Sequence, residues 1–416
     1  MADDPRGVVD IVARESYGRL IAYLAARTGD VAAAEDALAE AFVAALRTWP
    51  RDGVPVKPEA WLLTAARRRL IDRARFERMR AEAEPSIRQL VREAEAMSER
   101  EFPDERLKLL FVCAHPAIDR GMHTPLMLQV VLGLDAATIA SAFLTSPAAM
   151  GQRLSRAKAR IREARIAFEV PDRHQLPPRL DAVLDAIYAA YGSGWDDIAG
   201  SDPRRHGLAH EAVWLARTVL QLMPDEPEAR GLLALMLYCE ARRPARRTAT
   251  GDYVPMSEQN TDLWEGPLID EAERELSAAA ALHRVGRFQL EAALQSAHID
   301  GARRGDIDWR GIALLYEGLV GTSPTAGALV GRAAARGEAE GAAHGLAALD
   351  AIDPQIARTY QPYWAVRAHL LQRAGHIRPA LDAYDRAIGL TEDASTRHFL
   401  LRRRAELPKN VKWGRA

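Results

Sequence analysis

Apolar residues recur at spacings of three and four along nearly the whole chain. No segment keeps the period of two that a half-buried strand needs, so the pattern predicts an all-α protein. Val8, Ile11, Val12, Tyr17, Leu20, Ile21 and Leu24 share one face of a first helix over Val8 to Arg27, which Gly29 ends while Asp30 caps the next. A second helix, Val31 to Trp49, places Ala34, Leu38, Ala41, Phe42, Ala45 and Leu46 on one face and Glu35, Asp36 and Glu40 off it. Pro50, Pro55 and Pro58 then predict a turn, because proline lacks a ladder donor and clashes with the preceding helical turn. A third helix, Glu59 to about Arg80, keeps an apolar seam at Leu62, Ala66 and Leu70. Arg67, Arg68, Arg69 and Arg73 spread over the remaining face, where phosphate is the partner expected of them.

From Glu77 to Glu105 acidic residues dominate and Pro85 and Pro103 interrupt, which reads as a linker. Its two readings are a nucleic-acid mimic and a solvated spacer. A second helical unit begins at Arg106. Its end carries a short helix from Leu134 to Phe143, a turn at Leu144 and Thr145, and a helix opened by Ser146 as N-cap and Pro147 at the first position. Met150, Leu154, Ala157 and Ile161 form the buried seam of that helix, and Gln152, Arg153, Arg156, Lys158 and Arg160 face outward. Two short helices, a tight turn and a basic second helix predict a helix-turn-helix.

Beyond Arg173 alanine and leucine dominate and helices recur in pairs, the pattern of an α-solenoid. Ala365, Ala368, Leu371, Ala380, Tyr384, Ala387 and Leu390 fall at the small and large positions of one pair, with Gly375 turning between its helices. Leu208 to Met223 and Glu228 to Cys239 repeat the design around Pro-Asp-Glu-Pro. The polar loop from Arg246 to Leu263 is longer than ordinary connections, so it is expected to be functional or disordered.

A chain of 416 residues predicts two or three domains, and 48% hydrophobic with 27% charged residues excludes wholesale disorder. The net charge of -1 hides two basic stretches, Arg67 to Arg80 and Arg153 to Arg165. No apolar run is long enough for a membrane helix and no leader pattern opens the chain, so a cytoplasmic protein without membrane contact is expected. Two distant cysteines fit a reducing compartment. Cys113 and His115 do not complete a zinc site, and Gly192-Ser193-Gly194 lacks the lysine of a phosphate loop. Neither a catalytic cluster, a metal site nor a cofactor is expected, and the chain does not read as an enzyme.

Residues 1 to about 170 resemble an extracytoplasmic-function σ factor. Ala34-Glu35-Asp36-Ala37-Leu38-Ala39-Glu40-Ala41-Phe42-Val43 resembles the helix that binds core RNA polymerase, with Ala39 where glutamine is usual. Trp61-Leu62-Leu63-Thr64-Ala65-Ala66-Arg67-Arg68-Arg69-Leu70-Ile71-Asp72-Arg73 resembles the helix that reads and melts the -10 element, with Arg68 where asparagine is common. Asp135 to Arg165 resembles the -35 reader. Asp104-Glu105-Arg106-Leu107-Lys108-Leu109-Leu110-Phe111-Val112-Cys113-Ala114-His115-Pro116-Ala117, with Leu176 to Leu180 and Pro224 to Ala229, resembles the subgroup that carries a tetratricopeptide-like C-terminal extension.

The resemblance implies four parts: a region 2 domain at 1–80, an acidic linker at 81–103, a region 4 domain at 104–170 and a repeat extension at 171–416. It implies core polymerase and promoter DNA as partners, with a peptide or protein partner possible for the repeats. Asp36 and Glu40 would meet polymerase. Arg67, Arg68, Arg69 and Arg73 would hold the -10 DNA. Gln152, Arg153, Arg156, Lys158 and Arg160 would serve the -35 element. Two other classes stay open on the residues alone: a DNA-binding regulator that never joins polymerase, and a repeat scaffold whose N-terminal helices are ordinary bundle.

Overall fold

The structure is a computed structural model that describes residues 4–78, 104–143, 145–172, 175–196 and 207–408. The protein is all-α, and the one β-bridge among the described residues joins Arg247 to Tyr253. The chain divides into two compact units, Met1–Val219 and Leu220–Ala416.

In the first unit the expected first helix is two, α1 (Pro5–Glu15) and α2 (Tyr17–Thr28). They break at Ser16, a buried residue whose hydroxyl donates to Glu59 Oε1 at 3.2 Å and so ties the break to the fourth helix. The apolar face steps five residues across Ser16, from Val12 to Tyr17, a single irregularity in a period otherwise of three and four. Gly29 ends α2 and Asp30 caps α3 (Val31–Asp52), accepting from the Ala33 amide at 3.0 Å. Pro50 lies inside the last turn of α3 rather than in the following turn. So near the helix end it removes one donor without interrupting a long ladder. α4 (Pro58–Arg78) packs along α3, with Trp49 and Trp61 edge to face at 5.5 Å.

α5 (Arg106–Cys113), α6 (Arg120–Val130), α7 (Ala136–Ala142), α8 (Pro147–Glu163), α9 (Pro177–Asp196) and α10 (Leu208–Leu222) complete this unit, the division falling inside α10. α7 and α8 pack on each other across residues 143–146. Ser146 caps α8 by accepting from the Ala149 amide at 3.3 Å, and Met150, Leu154, Ala157 and Ile161 are all buried, as the spacing predicted. α9 covers α6 and α5, and Arg179 on it donates to the Phe111 carbonyl at 3.4 Å. On α5 the buried Arg106 pairs with Asp104 and Glu211 and lies 4.2 Å over the Trp214 ring, fixing α10. The linker expected at 81–103 lies outside the described residues.

The second unit holds α11 (Pro227–Arg242), α12 (Gly266–Ala280), α13 (Arg287–Arg304), α14 (Trp309–Thr322), α15 (Ala326–Ala339), α16 (Ala342–Asp350), α17 (Pro354–Thr359), α18 (Gln361–Arg373), α19 (Ile377–Gly389) and α20 (Ala394–Ala405). Packing is chiefly between helices close in sequence. Gly375, at φ 79°, turns α18 into α19, whose Ala380, Tyr384 and Ala387 are buried against Ala368 and Leu371. The long polar loop is ordered and reaches the last helix. Arg247 donates to Ser395 Oγ at 2.6 Å, Asp252 pairs with His398 at 2.8 Å, and Tyr253 meets Phe399 edge to face at 5.5 Å.

Candidate nucleic-acid interface

α4 carries the first set of basic residues, and its packing sorts them. Leu62, Leu63 and Ala66 are buried against the domain. Arg67 is four residues beyond Leu63, so it turns to the same side and is only 6% exposed. Its guanidinium lies 4.9 Å over the Tyr23 ring and donates to the Tyr23 hydroxyl, while Arg27 lies 3.5 Å over the same ring. The expectation that Arg67 faces phosphate is therefore corrected: it holds α4 onto α2. Arg68 and Arg69 are exposed, and Arg73 lies on the same helix with its side chain outside the described residues.

Asp36 and Glu40 are exposed on α3. Glu40 pairs with Arg69 at 3.2 Å, their side chains 60% and 56% exposed, so two residues expected to serve different partners meet each other here. An ion pair this exposed is worth roughly 0–1 kcal/mol and yields readily to another partner. Val43 and Leu46 are 46% and 44% exposed and follow Asp36, Ala39 and Glu40 at spacings of three and four. Leu46 thus faces solvent, not the core side its spacing suggested. The apolar pair went unnoticed as surface because alanines satisfy the buried face of α3.

α8 carries the second set. Gln152, Arg153, Arg156 and Arg160 are exposed. Arg153, Arg156 and Arg160 line an open groove of about 360 Å³ with Ala117, Ile118, Asp119 and Met122 from the segment before and within α6. Arg160 Nε donates to the Ala117 carbonyl at 3.3 Å. Lys158 is drawn elsewhere: it pairs with Glu35 on α3, both side chains nearly buried. Farther along, Arg162 pairs with Asp30 at 3.3 Å. Spacing could not show this, since the partners lie more than a hundred residues apart.

Cys113 is fully buried, and burial followed by the Glu35 carboxylate pushes its thiol far up, against the thiolate a nucleophile needs. His115 accepts from the Ala117 amide at 3.1 Å through Nδ1 and shapes the turn after α5. Among the described residues no group of three or more His, Cys, Asp or Glu side chains is placed to hold a metal, and no helix is long and apolar enough to cross a membrane.

Two family models match parts of the chain: Sigma-70 region 2 over residues 12–80, and a family of unknown function (DUF6596) over residues 179–280. The chain is also 36% identical, over 392 residues, to "Uncharacterized protein R00370" of Rhizobium meliloti (strain 1021), covering 93% of this chain and 92% of that one. The chain belongs to the family of that rhizobial protein. No solved structure matches it. Its N-terminal helices are a σ-70 region 2 domain, which supports a σ factor, a class of non-enzymatic transcription factors, and points to a role in transcription initiation. The region 2 match takes in the last turn of α1 and all of α2, α3 and α4, so both the Asp36–Glu40 face and the α4 arginines belong to it. The second match starts on α9 and ends with α12.

Proposed function

We propose that the chain is an alternative σ factor of the extracytoplasmic-function type, which binds core RNA polymerase and directs initiation at promoters with two elements. The observation that carries this reading is the region 2 match on a domain whose α4 keeps arginines in solvent. Asp36 and Glu40 offer carboxylates to basic groups on polymerase, and Val43 and Leu46 supply apolar area beside them. Arg68, Arg69 and Arg73 hold the backbone of the separated strand by salt-sensitive phosphate contact. Arg67 positions α4 from inside the domain. Opening costs a few kcal/mol per flipped base and needs a receiving pocket, for which the proline-rich stretch from Arg51 to Lys57 is the candidate by its place before α4.

α7 and α8 act as the helix-turn-helix of a region 4 domain within residues 104–170. Gln152, Arg153 and Arg156 reach base edges, where a bidentate arginine contact is worth ~1–3 kcal/mol. Arg160 and Lys158 serve phosphate. The helices from 171 onward form a tetratricopeptide-like extension that supports or regulates initiation and takes a peptide or protein partner. That reading is supported by α9, which braces α5 and α6, and by α10, whose Glu211 and Trp214 hold Arg106 of α5. In vitro transcription of fragmented genomic DNA by core polymerase, with RNA 5′ ends mapped, tests it. Discrete starts that need the protein and share two upstream elements are expected. Their absence, with a core competent for another σ factor, would reject the assignment.

A further inference from the structure

Within the first unit the two groups of promoter-reading helices are packed against each other. α2 lies on α5 and touches α6, and α3 lies against α8. A Cβ on Gly18 of α2 would overlap the Val131 carbonyl just after α6, so the backbones meet there with no side chain between them. Glu35 is the centre of the polar part: it takes Lys158 from α8 and accepts from the Tyr17 hydroxyl of α2 at 3.5 Å. Asp30 takes Arg162 one turn farther along α8.

Resting on the σ reading above, distances decide whether this arrangement can work on a promoter. Elements at -10 and -35 lie about 25 base pairs apart, roughly 85 Å of B-DNA at ~3.4 Å per pair. α4 packs on α3 and α3 on α8, so the two readers are separated by two helix-to-helix steps, roughly 20 Å. Both elements cannot be read from this state. The chain between Arg78 and Arg106 is long enough for release, since its 27 residues (79 to 105) reach at most about 90–100 Å when extended.

The geometry points to an autoinhibitory latch in which Asp30 and Glu35 of the region 2 domain occupy Lys158 and Arg162 of the -35 reader and hold the two readers together. The carboxylates take the place that phosphate takes in the open form, so the latch and DNA compete for the same cations. The nearly buried Lys158–Glu35 pair is the stronger part, because removing one partner leaves a charge without its counter-ion in a poorly solvated place. The Gly18 contact sets how closely the surfaces approach.

The test uses the full-length protein without polymerase. Carbodiimide, which couples an amine to a carboxylate in contact, should join Lys158 to Glu35 in the wild type. Spin labels at Ala39→Cys and Ser155→Cys, both exposed positions, in a Cys239→Ser background should show a short distance. In Asp30→Asn/Glu35→Gln most molecules should move to longer distances, while Asn keeps the α3 cap and Gln keeps an acceptor for Tyr17. With core polymerase and limiting protein, that variant should start transcription about tenfold more often, the factor that a 1.4 kcal/mol shift of a two-state balance produces. No Lys158–Glu35 cross-link, or the same distance distribution in both proteins, would overturn the latch. A latch that opens in the distance measurement while neither protein supports transcription would uphold the latch and reject the σ reading.

Discussion

The two basic helices of the first unit treat their cations differently. α4 sends Arg67 inward onto Tyr23 and leaves Arg68 and Arg69 in water, whereas α8 keeps its seam purely apolar and divides its cations between an open groove and α3. Helical spacing selects which face is buried in both. What differs is the fate of a charge at the edge of that face, which depends on what the neighbouring helix offers: an aromatic ring and hydroxyl beside α4, two carboxylates beside α8.

The largest effect should come from the α8 seam. Leu154→Ala removes a fully buried side chain and is expected to cost ~2–5 kcal/mol, read as a lower urea midpoint. Arg67→Ala should behave like that core change and not like a surface arginine. Losing a desolvated ring contact and a charged hydrogen bond should cost ~2–4 kcal/mol of stability. Stability unchanged within ~0.5 kcal/mol would return Arg67 to the phosphate-facing set.

Arg153→Ala and Arg156→Ala should leave melting unchanged and each weaken binding to a promoter fragment by ~1–3 kcal/mol, chiefly for the cognate sequence. Arg68→Ala should also leave melting unchanged, but weaken binding evenly across sequences and lower the slope of log affinity against log salt by ~1.

The smallest effect lies in the second unit. Burial opposes the charge on Asp393, yet hydrogen bonds from Thr396 and Ser395 and the charge of Arg247 hold its carboxyl at about 2, below the ordinary 3.8. Its contribution is therefore full above pH 3.8 and fades as pH falls through about 2. Exposure keeps it under ~1 kcal/mol. Asp393→Asn at neutral pH should do the same, seen as faster amide exchange at Gly251 and Val254.

Much of this was legible in the sequence. The α8 seam and cap, the Gly29–Asp30 boundary and the α18–α19 pair follow from local spacing and end chemistry, and all stand in the structure. The break at Ser16 left only a faint local trace, the five-residue step from Val12 to Tyr17, and its hydrogen bond to Glu59, 43 residues away, left none. Arg67 could have been found: Leu63 four residues before it places it on the buried side, but three consecutive arginines read as one face. The pairing of Lys158 with Glu35 had no local trace at all. Nor had the solvent exposure of Leu46, whose apolar character fits a packed face equally well.

On the proposed σ reading, α4 and α8 serve two separate promoter elements. A photo-reactive side chain placed at Arg68 in one sample and at Arg153 in another, with polymerase on a mapped promoter, tests it most directly. Cross-links are expected at two sites about 25 base pairs apart, the Arg68 site nearer the start of transcription. Cross-links from both positions to one site, or from Arg153 to none, would contradict it.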